Sequence, residues 1–504
     1  MTVTPRRGGT LNLLVDPEPT VLVSVTNPGD PQLLVSAKVT EGLLAYDFDL
    51  NPKPQLATRW SSSPDSREFA FTLRKGVKWH DGADFTAADV AFSLLLLKEV
   101  HPRGRAAFAN IADVRTPDAH TVVVTLSRPA PYFLHAFAAA ESPIVPRHIY
   151  EGTDPSTNRN AIAPVGTGPF IFREWVKGSH IAYERNPQYW DRPKPFIDRL
   201  VVRFIPDEAT RVAAIEEGAI DLAPATPVTP RELSRLKALP HLGFETNGYQ
   251  YTNQVVRIEF NLDNAYFKDL KVRQAIAHAI DRSAVIRDAW HGYGEQAFGP
   301  VSPALARFHA RDLPACAFNP EKAEQLLDEA GLTRNARGIR MQVVQDFVPA
   351  GDGYRDTAEC IKRSLARIGV EVSVREQDFP AYIKRIYTDR DFDFATNRAN
   401  NMFDPTVGVQ RLFWSKNFRK GLPFSNASRY SNPDVDRLLE AAAVETDPEK
   451  RLDCFAQFQK IIVQDLPDLT LLAPTQVTIH GRKVFDHTVT ADGVCGNLAD
   501  VHIR

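Results

Sequence analysis

The chain has 504 residues, 43% of them hydrophobic, enough apolar material for a large core and for more than one domain. Lys and Arg number 60 against 62 Asp and Glu, a net charge of −2, which excludes the basic footprint of a nucleic-acid-binding protein. No run approaches the ~18 consecutive apolar residues of a membrane span.

The N-terminal stretch MTVTPRRGGT lacks the apolar h-region of a secretory signal. Two readings stay open: a cytosolic protein, or a mature chain whose signal was removed and replaced by Met. TLNLLV at 10–15 reads as a strand, and 16–31, with four prolines and one glycine, as a loop. Residues 35–44 start helical, and Pro52 and Pro54 mark a surface crossing. In 69–97, Phe69, Phe71 and Leu73 alternate with Ala70, Thr72 and Arg74, the period of a half-buried strand. Asp81-Gly82 is a turn. Thr86 and Asp89 then form a capping box, Phe85 and Val90 a hydrophobic staple, and Val90, Leu94 and Leu97 a helical stripe. His80, beside the turn, reads as scaffold. Residues 121–126 are a strand, GTGPF at 166–170 a tight turn into another, and 211–218 a short helix before the strand AIDLAP. Val272, Ile276 and Ala279 form a further helical stripe.

The second half has sharper punctuation. Asn319-Pro320 opens a helix that Gly331 closes. A strand at 340–347, a helix at 354–368 ending at Gly369, and the alternating Val370, Val372 and Val374 make a βαβ crossover with parallel strands. Asn432-Pro433 and Asp447-Pro448 each start a helix, and the chain runs out as strands after Leu466-Pro467. Cys316, Cys360, Cys454 and Cys495 are far apart with no CxxC, a pattern against a zinc site. Cys360 and Cys454 fall in helical patterns as buried thiols, and one disulfide of undetermined pairing stays open.

Catalytic signatures are missing: there is no G-x-S-x-G, HExxH or Walker A motif, and GTGPF lacks the phosphate-loop spacing. The thirteen histidines form no i, i+4 pair on a helix, and the acids are scattered. The most informative segment is 391–418, DFDFATNRANNMFDPTVGVQRLFWSKNF. It reads as a strand over 391–396, then a polar loop with three Asn and one Arg, then Phe403-Asp404-Pro405, an apolar stretch and Trp414. Amides, a guanidinium and aromatic rings suit a polar organic ligand.

Several strings stand in one order along the chain: EGLLAYDFDLNPKPQLATRW, SSSPDSREFAFTLRKGVKWHDGADFTAADVAFSL, ERNPQYWDRPKPFIDRLVVRFIPD and RIEFNLDNAYFKDLKVRQAIAHAIDR. Together they resemble the extracytoplasmic solute-binding proteins of ABC transporters, family 5 (peptide, nickel and opine binders, cluster C). The resemblance spans about 8–501. It implies an α/β, two-lobed periplasmic-binding-protein (Venus-flytrap) fold with an extra subdomain in the first lobe. Lobe I would be 1–259, with the subdomain at about 46–180, lobe II 260–474, and 475–504 would return to lobe I. A small-molecule ligand would bind between the lobes by hinge closure, with crossings near 257–261 and 473–477. A monomer would deliver it to an ABC permease with separate ATPase subunits; no cofactor, metal, nucleic acid or catalysis is implied, and the compartment would be periplasmic. A sensory binding module and a cleft hydrolase are the alternatives.

The resemblance places ligand residues at Val21 and Ser24 in the first-strand exit loop, at Arg103 and Arg105 in HPRGR, and at Asn397, Arg398, Asn400, Asn401, Phe403, Asp404, Arg411 and Trp414. Peptide binders of the family hold the ligand α-ammonium with an aspartate three residues before an acidic-Pro pair. Here that position is Asn401, and the arginine for the ligand carboxylate registers on Val348. An amide forgoes the charge-assisted bond, roughly twice as strong as a neutral one. Ordinary free dipeptides are therefore expected to bind weakly or not at all, unless a shifted loop brings Asp404 into the aspartate's role.

Overall fold

A computed structural model describes residues 5–250 and 252–504, so Met1–Thr4 of the N-terminal stretch lie outside the described residues. The chain divides into two compact units, Met1–Tyr251 with Gln476–Arg504, and Thr252–Thr475. The first crossing therefore falls at 251/252 rather than at 259/260. A cut at 259/260 would sever the strand Gln254–Phe260, which is buried along its whole length and hydrogen-bonded on both edges.

The first unit is built on a seven-stranded mixed sheet in the order 242–245, 478–481, 222–223, 10–14, 199–203, 180–185, 170–176. Thr10–Leu14 runs parallel to Arg199–Arg203 at its centre, and Thr478–Gly481 enters from the returning C-terminal segment. A separate four-stranded antiparallel sheet, in the order 57–62, 68–73, 121–126, 111–118, carries the strand-turn-helix of 69–97. Phe170–Val176, inside the range 46–180 expected for the subdomain, pairs into the seven-stranded sheet. The helix Ala87–Val100 begins as its sequence reads. The Asp89 carboxylate accepts from the Thr86 N–H at 2.9 Å and from its hydroxyl at 3.2 Å, and Phe85 and Val90 are buried. Residues 35–44 are helical only at Val35 and Ser36. The helix there is Asp30–Ser36, with Pro31 in its first turn, where the missing N–H costs nothing.

Several of the recurrent strings meet inside the first unit. The fully buried Glu41 accepts from Thr167 Oγ1 (2.9 Å), Tyr189 OH (2.8 Å) and Trp190 Nε1 (3.0 Å). Burial pushes its carboxyl up to about 7 even with these three donors. A Cβ at Gly166 or Gly168 would stand 1.9 or 2.6 Å from the Val39 carbonyl oxygen, so only glycine lets the GTGPF turn close on the chain just past the helix Asp30–Ser36. His80 takes the scaffold role its position suggests: its Nε2 lies 2.9 Å from the Gly168 carbonyl, and burial lowers its pKa to about 4. These strings fold the unit.

The second unit is a six-stranded sheet in the order 294–296, 468–474, 254–260, 394–400, 341–347, 370–375. Met341–Phe347 and Val370–Arg375 are parallel and joined by the helix Asp352–Arg367, the expected βαβ crossover. Asn319 caps Pro320–Glu329 by accepting from the Lys322 N–H. Residues such as Ile258, Ile276, Leu327 and Ile361 are buried in one apolar cluster. Truncating any one of them to Ala would cost about 2–5 kcal/mol. All four cysteines are free thiols; Cys360 is buried, and Cys454 only half-buried.

Candidate functional site

The polar segment lies in the second unit, and its register differs from the sequence reading. The strand is Phe394–Asn400, three residues beyond the start expected at 391, so Asn397, Arg398 and Asn400 stand on a strand and not in a loop. Hydrogen bonding to Gln254–Phe260 over the full length overrides the low strand propensity of TNRAN. Alternation then decides which way each residue faces.

Asn397, fully buried, donates from Nδ2 to Glu259 Oε2 (2.9 Å) and to Tyr387 OH (2.8 Å). Asn400 Oδ1 accepts from Gln254 Nε2 at 3.1 Å, and Gln254 in turn accepts from Tyr354 OH at 2.6 Å. Arg398 is half-buried, and its N–H donates to Asn397 Oδ1 at 2.8 Å. Past the strand the chain folds into a tight turn. The Asn401 N–H donates to the Thr252 carbonyl (2.9 Å), while its Oδ1 accepts from the Ser302 N–H. Gly408 presses on the same residue: a Cβ there would sit 2.0 Å from the Asn401 carbonyl oxygen. Asn401 is fully buried, Phe403 buried, and Met402 takes φ +57°.

Asp404 is the best-anchored residue of the segment. It caps Pro405–Gly408 by accepting from the Thr406 N–H at 2.9 Å. Both of its carboxylate oxygens accept from Arg451, at 2.9 and 2.7 Å. Arg451 also donates to the Ala442 carbonyl (2.8 Å) and Thr406 Oγ1 (2.8 Å), and its guanidinium lies 5.0 Å from the Phe455 ring centroid. This bidentate pair is sealed, with Asp404 fully buried and Arg451 at 7% exposure. The charge is thus committed inside the unit. Arg411 donates to the carbonyls of Gly408 (3.1 Å) and Phe424 (2.7 Å), and Trp414 Nε1 to Glu440 Oε1 (2.8 Å). Val348 is fully buried in the apolar cluster, its N–H on the Thr396 carbonyl at 2.9 Å.

In the first unit, Arg103 forms a two-point pair with Glu141, one bond being 2.6 Å, and donates to the Pro28 carbonyl at 3.3 Å. It thereby ties the first-strand exit loop to the helix end. Ser24 is fully buried on Ser36 Oγ (3.1 Å from its N–H), Val21 is half-buried, and Arg105 is exposed with Nε on the Glu99 carbonyl at 2.7 Å. The sequence reading missed Glu141, Arg451, Arg257 and Glu259: the first two meet Arg103 and Asp404 only through tertiary contact, and the Arg257–Glu259 pair is buried and joined by Asp468 and Asn397 only in the folded sheet. Among the described residues no group of three His, Cys, Asp or Glu side chains could hold a metal ion, and no helix is long and apolar enough to cross a membrane. What these residues offer is non-covalent: amides, guanidinium groups and rings positioned by a rigid sheet.

Strand order, the βαβ crossover and a C-terminal segment that returns to the first unit's sheet define an α/β protein with the periplasmic-binding-protein fold. The profile of bacterial extracellular solute-binding proteins, family 5 Middle, matches residues 51–420, and the chain belongs to that family. Protein XP55 of Streptomyces lividans is 30% identical over 455 residues, covering 87% of this chain and 79% of the relative. The oligopeptide-binding protein AppA of Bacillus subtilis is 29% identical over 487 residues, covering 93% and 87%. Among solved structures, PBP AgaA in complex with agropinic acid, from A.tumefacien R10, superposes with a TM-score of 0.79 at 27% identity, covering 98% of this chain and 99% of that one. The family consists of binding proteins, not enzymes.

Proposed function

We propose that this chain is the extracytoplasmic solute-binding component of an ABC import system, a monomer that captures a small organic solute and delivers it to a membrane permease. The observation that carries this reading is membership of the solute-binding family over residues 51–420. Relatives named as binders of oligopeptides and of agropinic acid leave the ligand class to the chain's own residues. Those residues favour a neutral or anionic solute, or a peptide-like compound with a blocked amine. Asn401 offers an amide already engaged by Ser302, and the Asp404 carboxylate is held at both oxygens by Arg451. An ammonium removed from water needs a counter-charge, and neither residue supplies one. Periplasmic location and the permease partner follow from the family's extracytoplasmic habit.

The test is mass spectrometry of the solute that co-purifies with the protein, followed by thermal shift with candidate solutes. A true ligand at a hundred times its Kd adds about 2.7 kcal/mol of stability. Turnover of the bound solute, or capture of a receptor in place of a permease, would replace this reading.

A further inference from the structure

The second unit buries a polar cluster on its central strands. On the strand Gln254–Phe260, Arg257 and Glu259 are two residues apart and share a face. Asn397 stands opposite Arg257 in the neighbouring strand, and Asp468 opposite Glu259 on the other side. Arg257 donates to Glu259 at 3.0 Å and to Asp468 at 2.8 Å, and Asn397 joins Glu259 to Tyr387. The lid is the short helix Phe379–Ile383, carrying Tyr382, continued by the π-helical turn Lys384–Asp389, carrying Tyr387. Tyr387, Glu259, Arg257 and Asp346 are the charged or titratable groups closest in effect to the Tyr382 hydroxyl. Asp346, fully buried, accepts from Arg375 and Gln377.

The donor and acceptor inventory does not close. Glu259 Oε1, Arg257 Nε and the Tyr382 hydroxyl all lack a hydrogen-bond partner, and all three belong to residues at most 2% exposed. Two carboxylates share one guanidinium, so the unmet acceptor carries surplus negative charge. A buried polar atom left unmet costs about 1–3 kcal/mol, and three on one face need a common remedy. A metal ion is a poor remedy, because the guanidinium repels it. An anion meets the carboxylates. A water molecule answers both kinds of unmet atom: it donates to Glu259, accepts from Arg257, and can do either with Tyr382.

We propose that Glu259 Oε1, Arg257 Nε and the Tyr382 hydroxyl together hold a structural water site of one or two molecules. The water completes a network linking three central strands to the lid. A high-resolution crystal structure of the full chain tests it directly. Density at about 3 Å from at least two of the three atoms, refining as water, is the expected result. Direct bonds among the three atoms with no intervening density, or density that refines as an ion, overturns it. Tyr382→Phe gives an independent sign. If the hydroxyl binds water, its removal lowers the folded-to-unfolded ratio about five-fold in urea titration. If the hydroxyl is merely orphaned, its removal raises that ratio, and the proposal fails. Should the variant not fold, the crystal structure of the parent decides alone.

Discussion

Replacing Asp404 with Asn removes the negative charge from a sealed pair and leaves the Arg451 guanidinium without its carboxylate. Asp404 is fully buried and Arg451 nearly so, so water cannot substitute. Breaking a buried pair from one side costs about 3–5 kcal/mol. The amide oxygen of Asn can still accept from the Thr406 N–H, so the cap is largely kept and the loss reports the charge pair. Urea unfolding followed by fluorescence reads it: a loss of about 4 kcal/mol at an m of about 3 kcal/mol/M moves the midpoint of the second unit down by about 1.3 M. A double variant, Asp404→Leu with Arg451→Met, should recover part of that loss, because a buried pair and an apolar pair of similar volume are often close in energy. The alternative is that Asp404 serves a ligand ammonium. Then Asp404→Asn would leave the urea midpoint of the ligand-free protein unchanged while abolishing micromolar binding of unblocked peptides. That combination would refute the assignment of Asp404 to the scaffold, and with it the argument against a cationic ligand.

Three further outcomes are expected. A thermal-shift panel of unblocked di- and tripeptides should give no saturable shift; several micromolar binders would show that the loop reading is wrong. Gly408→Ala should lower stability by about 1–3 kcal/mol, since its Cβ would meet the Asn401 carbonyl oxygen at 2.0 Å, and should weaken solute binding if the 401–408 turn contacts it; wild-type values in both calorimetry and urea titration would count against the turn. Glu41 gives a pH signature. Its carboxyl is raised by burial from 4.5 to about 7, so between those values the folded chain holds a proton that the unfolded chain has released. Stability is therefore lost as pH rises from about 4.5 to about 7 and is flat above, by about 3 kcal/mol relative to Glu41→Gln. A difference between parent and variant that stays constant over that range would refute the shift.

The sequence by itself determined what local chemistry can write. The capping box at Thr86 and Asp89 and the Asn-Pro and Asp-Pro helix starts at 319, 432 and 447 were legible because each depends on neighbours within a few residues, and the βαβ crossover at 341–375 because its strand, helix and strand follow one another directly. The family-like strings were legible as strings, but their physical role was not. Only the fold brings Glu41, Thr167, Tyr189 and Trp190 to one carboxylate. The candidate site was the least legible. From composition, the residues after Thr396 are a polar loop; in the sheet, 397–400 belong to an inner strand, because pairing with Gln254–Phe260 satisfies its backbone and the register turns Asn397 inward. Likewise Asp404 and Arg451, 47 residues apart, carry no signal of each other, and their pairing exists only because the helix Pro448–Asp465 packs beside the 401–408 turn. Charge pairs across that separation are set by tertiary packing, and that packing decided which polar residues build the unit.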